Sequence, residues 1–190
     1  MADKAFNLEQ ALYGSWQTAH STALFFSTDL KCYNLEHLME NGRFLEVGCG
    51  DGKDMREIQK LYPKAHYFGL DTSKNAVRWS KQNNPQADII IGCIQQIPFE
   101  ADTFDIVYSS LILSYAQNRA NSPFFKYVKR AMLGAIAFRI EDVANETYRI
   151  LKKGGIYYLF DVLEENEVGM FVNRGFKMIH DTSTRFVFQK

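Results

Sequence analysis

The stretch FLEVGCGDG (residues 44–52) concentrates residue types that suit ligand binding. Its three glycines, at every second position from Gly48, leave the backbone bare and let a bulky ligand approach closely. Glu46 and Asp51 place two carboxylates beside these glycines. Because carboxylates repel a pyrophosphate and attract a cation, the stretch indicates a ligand with a positively charged end.

A further acid, Asp71, ends the next apolar run, HYFGLD. An acid at this place in a nucleotide-binding sheet accepts hydrogen bonds from ribose hydroxyls. The dinucleotide fingerprint G-x-G-x-x-G would need a glycine where this chain has Lys53, which argues against NAD. Together these residues favour an adenosine-bearing, cationic ligand without phosphate, and S-adenosylmethionine fits that description.

Short apolar runs alternate with helical patterns along the chain, which predicts an α/β sheet with mostly parallel strands. The last two strands are separated by a short turn, so they must be antiparallel. The predicted strands are residues 43–47, 66–71, 88–91, 104–109, 156–162, 177–183 and 184–190. The predicted helices are residues 7–30, 53–62, 72–84, 122–152 and 164–176, with a stop and turn at residues 153–155.

Four segments together resemble class I S-adenosylmethionine-dependent methyltransferases: E-V-G-C-G-D-G, G-L-D-T-S, I-P-F-E-A-D-T-F-D-I-V-Y-S-S and R-I-L-K-K-G-G. The likeness is to the small-molecule branch that includes the ubiquinone/menaquinone-type C-methyltransferases, over roughly residues 43–188. It implies a Rossmann-like three-layer α/β sandwich, with a mostly parallel seven-stranded sheet, one antiparallel strand and an inserted helix. It also implies a single domain over residues 1–190, with an N-terminal helical cap at about 7–30 and the inserted helix at about 122–140.

The resemblance implies S-adenosyl-L-methionine as cofactor, S-adenosyl-L-homocysteine as product and no metal. The implied cofactor-binding residues are Glu46, Gly48, Cys49, Gly50, Asp71, Thr72, Cys93, Ile94 and Ser109. Glu46, Gly48 and Gly50 would border the methionine part, while Asp71 would hold the ribose with Thr72 beside the adenine. As an alternative, Asp71 serves only as a helix cap.

The adenine side departs from the family pattern. Related enzymes often have G-D-A where this chain has Gly92-Cys93-Ile94, and a thiol is a weak hydrogen-bond acceptor. The Ile94 N–H would meet the adenine ring, and Ser109 would lie under the donor methyl group.

Methyl transfer from a sulfonium needs a base only if the acceptor must lose a proton. Tyr13, His20 and Tyr115 are the candidate catalytic residues, and packing within the fold is the alternative for each. The segment 122–140 is apolar apart from a few basic residues. It fits a lid over an apolar or anionic acceptor, a contact in a homodimer or a membrane-surface helix, and these alternatives stay open.

Composition narrows the class of protein. Lys plus Arg equals Asp plus Glu, at 22 each among 190 residues, so no nucleic-acid partner is expected. No run approaches the ~20 apolar residues of a membrane span. The three cysteines lack metal-ligand spacing and the chain has no evident secretory signal, so a cytoplasmic location is expected.

The sequence therefore predicts a methyltransferase that transfers a methyl group to O, N or C of a small molecule by direct displacement. The alternatives are a cofactor-binding regulatory protein without turnover and a methyltransferase for protein or RNA.

Overall fold

The computed structural model describes residues 16–113, 139–182 and 184–190, with side chains from residue 21 onward. The α-helices of this part are α1 (Trp16–Cys32), α2 (Lys53–Leu61), α3 (Lys74–Asn83), α4 (Ile140–Ile150) and α5 (Glu165–Arg174). The strands are β1 (Arg43–Val47), β2 (His66–Asp71), β3 (Asp88–Ile91), β4 (Phe104–Ser110), β5 (Leu151–Phe160), β6 (Lys177–Asp181) and β7 (Arg185–Gln189). A short 3-10 helix, Glu36–Met39, which the sequence pattern did not predict, joins α1 to β1.

The strands form one seven-stranded sheet in the order β3-β2-β1-β4-β5-β7-β6. Strand β7 runs antiparallel to both of its neighbours, β5 and β6. The other neighbouring strands pair in parallel. The predicted α/β sheet with one reversed strand near its edge is thereby confirmed. The chain order reverses between β1 and β4, where ligands bind in such sheets.

Side chains on β1 alternate between two cores because successive residues of a strand face opposite sides. Phe44 packs in the core under α1, α2 and α3, whereas Leu45 and Val47 pack in the core under α4 and α5. Helices therefore cover both faces of the sheet, as the predicted three-layer sandwich requires. In the first core, the fully buried Phe26 ring of α1 meets the Tyr158 ring edge-on, at 5.1 Å between centroids.

A buried charge network also fixes α1 to the sheet. The Asp29 carboxylate accepts hydrogen bonds from Arg185 Nη1 of β7 at 2.9 Å and from the Tyr158 hydroxyl of β5 at 2.7 Å. His180 Nε2 on β6 lies 3.9 Å from Asp29 Oδ1. The C-terminal half of α1 is thus tied to β5 and β7 at one side chain.

The sequence prediction is wrong around residue 150. Helix α4 ends at Ile150 and β5 begins at once with Leu151, so residues 153–155 lie inside a strand. The pairing of β4 with β5 shifts register there, which makes this segment a bulge. Gly154 has a φ of +82°, and a Cβ on Gly155 would lie 2.9 Å from the Asp105 carbonyl oxygen. The two glycines permit this bulge rather than a helix stop.

The inserted helix predicted at 122–140 and the first part of the N-terminal cap fall almost entirely outside the described residues. Among the helices that are described, none combines the length and apolar character needed to cross a bilayer.

Candidate functional site

The glycine-rich turn follows β1 at the point where the strand order reverses. The Gly48 N–H donates to the Leu70 carbonyl at 2.7 Å, which fixes the turn against the end of β2. Gly48 and Gly50 have φ values of +72° and +52°, in the left-handed region that favours glycine. A Cβ on Gly48 would lie 2.8 Å from Ile112 Cδ1, so the segment after β4 sits directly against this turn.

Two asparagines at the end of α3 hold the other side of the turn. Asn83 Nδ2 donates to the Asp51 carbonyl at 2.8 Å, and Asn84 Nδ2 donates to the Gly52 carbonyl at 3.0 Å. A Cβ on Gly52 would lie only 2.1 Å from Asn84 Nδ2. The turn is therefore held by hydrogen bonds to the end of β2 and to the end of α3.

Asp71 connects the turn to α3. Its Oδ2 accepts the Gly50 N–H at 2.9 Å, and its Oδ1 accepts the Ser73 N–H at 2.8 Å. Burial raises the pKa of this carboxyl, while the backbone N–H donors of Ser73, Gly50 and Thr72 act in the opposite direction. An ionised carboxylate has about four acceptor positions, so Asp71 keeps capacity for a ligand hydroxyl. The capping of α3 itself belongs to Ser73, whose Oγ accepts the Ala76 N–H at 3.3 Å.

Glu46 lies at the bottom of the site, with 3% of its surface exposed. The Met55 N–H, in the first turn of α2, donates to its carboxyl group. Within the described part of the chain, Glu46 Oε2 is buried and has no hydrogen-bond partner. Burial, followed by the nearby charge of Asp54, raises the pKa of Glu46 well above its ordinary value.

Asp54 is a site residue that the sequence reasoning missed. It receives hydrogen bonds from the hydroxyls of Tyr108 and Ser110 on β4 and of Thr22 on α1, with the Tyr108 bond 2.9 Å long. Burial raises the pKa of Asp54 despite these donors. The sequence did contain a signal for Asp54. This acid falls in the first turn of the helix that follows the glycines, where a negative charge is favoured.

The acids of the site thus form one group around the turn. Glu46, Asp51, Asp54 and Asp71 come from β1, the turn, α2 and β2. Lys53 Nζ lies 2.9 Å from Asp51 Oδ2 and so neutralises that member of the group. The remaining three carboxyl groups all have raised pKa values because burial disfavours their charged forms.

The predicted adenine-side residues lie at the ends of β2 and β3. Thr72 is exposed, Cys93 is half-buried and the Ile94 side chain is buried in the core. The Gly92 N–H donates to the Asp71 carbonyl at 3.0 Å, which brings this segment beside the ribose candidate.

Cys49 and Ser109 direct their side chains into the protein. Cys49 is buried, and burial followed by the charge of Glu46 raises the pKa of its thiol. Ser109 Oγ lies 2.7 Å from the buried Tyr157 hydroxyl. Because Ser109 pairs with Val47 and not with Glu46, its side chain lies on the opposite face of the sheet from the Glu46 carboxyl.

The candidate catalytic residues remain predictions. Tyr13 and Tyr115 lie outside the described residues, and His20 lies in α1 at a position whose side chain is not described. Among the residues that are described, no three His, Cys, Asp or Glu side chains form a group suited to a metal ion.

Comparison with known proteins places this site in a family. Residues 45–159 match the family model described as "Methyltransferase domain". A sterol 4-C-methyltransferase of Caenorhabditis elegans is 25% identical over 157 residues, which is 80% of this chain and 41% of that protein. The chain therefore spans less than half the length of this relative.

Solved structures share the fold. A TehB-like SAM-dependent methyltransferase from Corynebacterium glutamicum superposes with a TM-score of 0.58 at 14% identity, covering 92% of this chain and 99% of that one. Geranyl diphosphate C-methyltransferase from Streptomyces coelicolor, solved with S-adenosyl-L-homocysteine, has a TM-score of 0.55 at 10% identity, covering 74% of this chain and 54% of that one. The family match spans more than half of the chain, and the chain belongs to the methyltransferase domain family.

Proposed function

We propose that this protein is an S-adenosyl-L-methionine-dependent methyltransferase that acts on a small molecule by direct displacement at O, N or C. The observation that carries the proposal is the Glu46 carboxyl, which is buried with Oε2 unpartnered among the described residues. A buried polar atom without a partner costs free energy, so the site is built for a group that completes it. A ligand ammonium group supplies both the hydrogen bond and the opposite charge.

The surrounding residues fit the other parts of the same cofactor. Gly50 carries no side chain and has a left-handed φ of +52°, which keeps the backbone of the turn bare, whereas the space beside Gly48 is taken by Ile112. Asp71 is held in orientation by two backbone N–H groups and would accept a ribose hydroxyl. Thr72 would lie beside the adenine.

We propose further cofactor contacts at the ends of the strands. The Ile94 backbone N–H would meet the adenine ring, with Cys93 beside it. Cys49 and Ser109 would contribute through backbone atoms, since their side chains are turned into the core. The adenine amino group then has only a weak acceptor in Cys93, so adenine recognition would rest on shape and on backbone groups.

When bound, S-adenosyl-L-methionine supplies a methyl group already activated on a sulfonium. The protein's own task is to orient the two substrates and exclude water, which lowers the barrier without an obligatory base. Tyr13, His20 and Tyr115 are the residues we propose on the acceptor side, and any of them would take a proton only from an acceptor that must lose one.

For the acceptor we propose an apolar small molecule. The relative from Caenorhabditis elegans is named for a sterol, and the segment 122–140 of this chain is apolar enough to cover such a molecule. A homodimer contact through the same segment is the alternative, and gel filtration distinguishes it from a cover over the acceptor. The free thiols of Cys32, Cys49 and Cys93 suit a reducing compartment, so a cytoplasmic location is part of the proposal.

Titration calorimetry tests the cofactor directly. We expect micromolar binding of S-adenosyl-L-methionine and S-adenosyl-L-homocysteine, and no heat from NADH. A methyl-transfer assay with sterols and other apolar acceptors then tests turnover. Absence of binding by both adenosyl compounds would refute the proposal, while binding without transfer to any acceptor would favour the regulatory alternative.

A further inference from the structure

Glu46 is buried and Asp54, a neighbouring charge, is half-buried, and the surroundings of the two carboxyl groups differ. Asp54 accepts hydroxyl hydrogen bonds from α1 and β4, whereas Glu46 accepts one backbone N–H and has a second oxygen with no partner in the described ranges. Hydrogen bonds to the charged form favour ionisation. The negative charge of this pair therefore belongs on Asp54.

Two neighbouring carboxylates in a buried site do not both ionise without cost, because each charge opposes the other. Glu46 is on β1 and Tyr108 is its partner on β4, so both side chains lie on one face of the sheet. Since the Tyr108 hydroxyl donates to Asp54 Oδ2 at 2.9 Å, the Asp54 charge lies on the same face.

Among the described residues, the charges that act most strongly on Glu46 are those of acids, and each of them opposes its ionisation. The titratable neighbours are Asp51, Asp54 and Asp71, the Cys49 thiol and the Tyr108 hydroxyl. Lys53 Nζ pairs with Asp51 Oδ2 at 2.9 Å. Helix α1 contributes only an uncharged group here, the Thr22 hydroxyl, which donates a hydrogen bond to Asp54.

We propose that Glu46 holds a proton in the free protein and releases it to solvent when a ligand ammonium group binds, with Asp54 as the positioning residue that keeps the proton in place. The exchange is balanced: the Glu46 O–H bond breaks, the proton leaves, and the resulting carboxylate pairs with the ammonium. This inference rests on the proposed function, because the cationic ligand is the methionine part of the cofactor.

The affinity for a cationic ligand depends on whether Glu46 is protonated. Below the raised pKa of Glu46 the ligand must displace a proton, so affinity falls as the pH is lowered. Above that pKa the carboxylate is already charged, and no proton is released. A site in which Glu46 is ionised in the free protein would release no proton at any pH.

Titration calorimetry in buffers of different ionisation enthalpy counts the released protons. The probe is S-adenosyl-L-homocysteine between pH 5.5 and 7.0, where its amino group remains charged because a free amino acid is more basic than a peptide α-amino group, whose pKa is about 7.7–8.0. We expect release of up to one proton per bound ligand. The infrared carbonyl band of a protonated carboxyl should disappear on binding.

Three variants make the test specific. Glu46→Gln keeps the shape and should still bind, more weakly, with no proton release. Asp54→Asn removes the neighbouring charge and should reduce the number of protons released, because Glu46 then ionises more readily. Asp88→Asn, an exposed acid on β3, should leave the proton count unchanged.

Binding of the wild-type protein without proton release over the whole pH range would overturn this inference and leave the proposed function standing. Persistent proton release in Glu46→Gln would also overturn it. No binding at all would refute the proposed function, and this inference with it.

Discussion

At the scale of single residues, Asp71 combines a structural and a proposed binding role. We expect Asp71→Asn to weaken S-adenosyl-L-homocysteine binding by roughly 10- to 100-fold, since hydrogen bonds to charged groups contribute about 1.5–3 kcal/mol. The new amide group would also face the N–H of Gly50 or Ser73, which both now donate to Asp71. Calorimetry gives the affinity, and circular dichroism verifies the fold. Asp88→Asn is the control, and equal affinity in both variants would remove Asp71 from the site.

Gly52 in the turn and Gly154 in β5 differ in the space around them. Gly52 and Gly154 both have left-handed φ values, +76° and +82°. A Cβ at Gly52 would collide with Asn84 and Ser80, whereas a Cβ at Gly154 meets no described atom within 4 Å. Gly52→Ala should therefore lower the free energy of unfolding by about 1–3 kcal/mol more than Gly154→Ala does. Urea denaturation measures both, and equal losses would contradict the close packing of the turn on α3.

At the scale of elements, the attachment of α1 rests on the buried Asp29 network. Arg185→Met removes the cation that pairs with Asp29 at 2.9 Å and leaves a buried carboxylate with less compensation. We expect a loss of ~2–3 kcal/mol in unfolding free energy, near the lower end for a broken buried pair because Arg185 is partly exposed. Arg174→Met, which removes an exposed cation stacked on Tyr148, should cost less than about 1 kcal/mol. If the two variants lose equal stability, the network does not hold α1.

A substitution in helix α5 should increase the stability of the protein. Gly169 lies inside this helix without a left-handed φ, and a Cβ there would meet no described atom within 4 Å. Gly169→Ala should raise the free energy of unfolding by about 0.5–1 kcal/mol, because alanine loses less conformational freedom in a helix. Thermal unfolding should show a higher Tm, and a lower Tm would mean that this position is packed more tightly than described.

At the scale of the whole molecule, the buried acids predict how stability varies with pH. Their pKa values in the folded state lie above the ordinary values of 4.5 for Glu46 and 3.8 for Asp54 and Asp71. The folded protein therefore binds more protons than the unfolded chain, and its stability falls as the pH rises above about 4 through the raised pKa values.

We expect the free energy of unfolding of the ligand-free protein to fall between pH 5 and pH 8. Glu46→Gln should flatten this dependence and be more stable than the wild type at pH 8. Urea unfolding at a series of pH values measures both. Stability that rises steadily from pH 5 to pH 8 would show that the carboxyl groups are ionised and compensated in the free protein.

The sequence predicts those features of the fold that depend on residues close together in the chain. The strands 43–47, 66–71 and 88–91 were predicted with the bounds that the structure has, because each is a short apolar run bounded by turn residues. The bulge at 153–155 was not predicted, because it depends on the backbone of Asp105, which lies in a strand that is distant in sequence.

The same distinction applies to the site. The glycine turn with Glu46 and Asp71 was visible as a pattern, but the role of Asp54 depends on Thr22 and Tyr108, which the chain brings together only in the folded state. The buried environment of Ser109 beside Tyr157 likewise arises from pairing between strands.

The unpartnered oxygen of Glu46 should affect how much of the protein accumulates in a cell. A chain that pays for a buried, incomplete site is least stable when empty, and a ligand that completes the site stabilises it by mass action. Proteases degrade transiently unfolded chains, so abundance follows the ligand-bound fraction. The amount of this protein should therefore rise and fall with the supply of the proposed cofactor, without any change in the transcription of its gene.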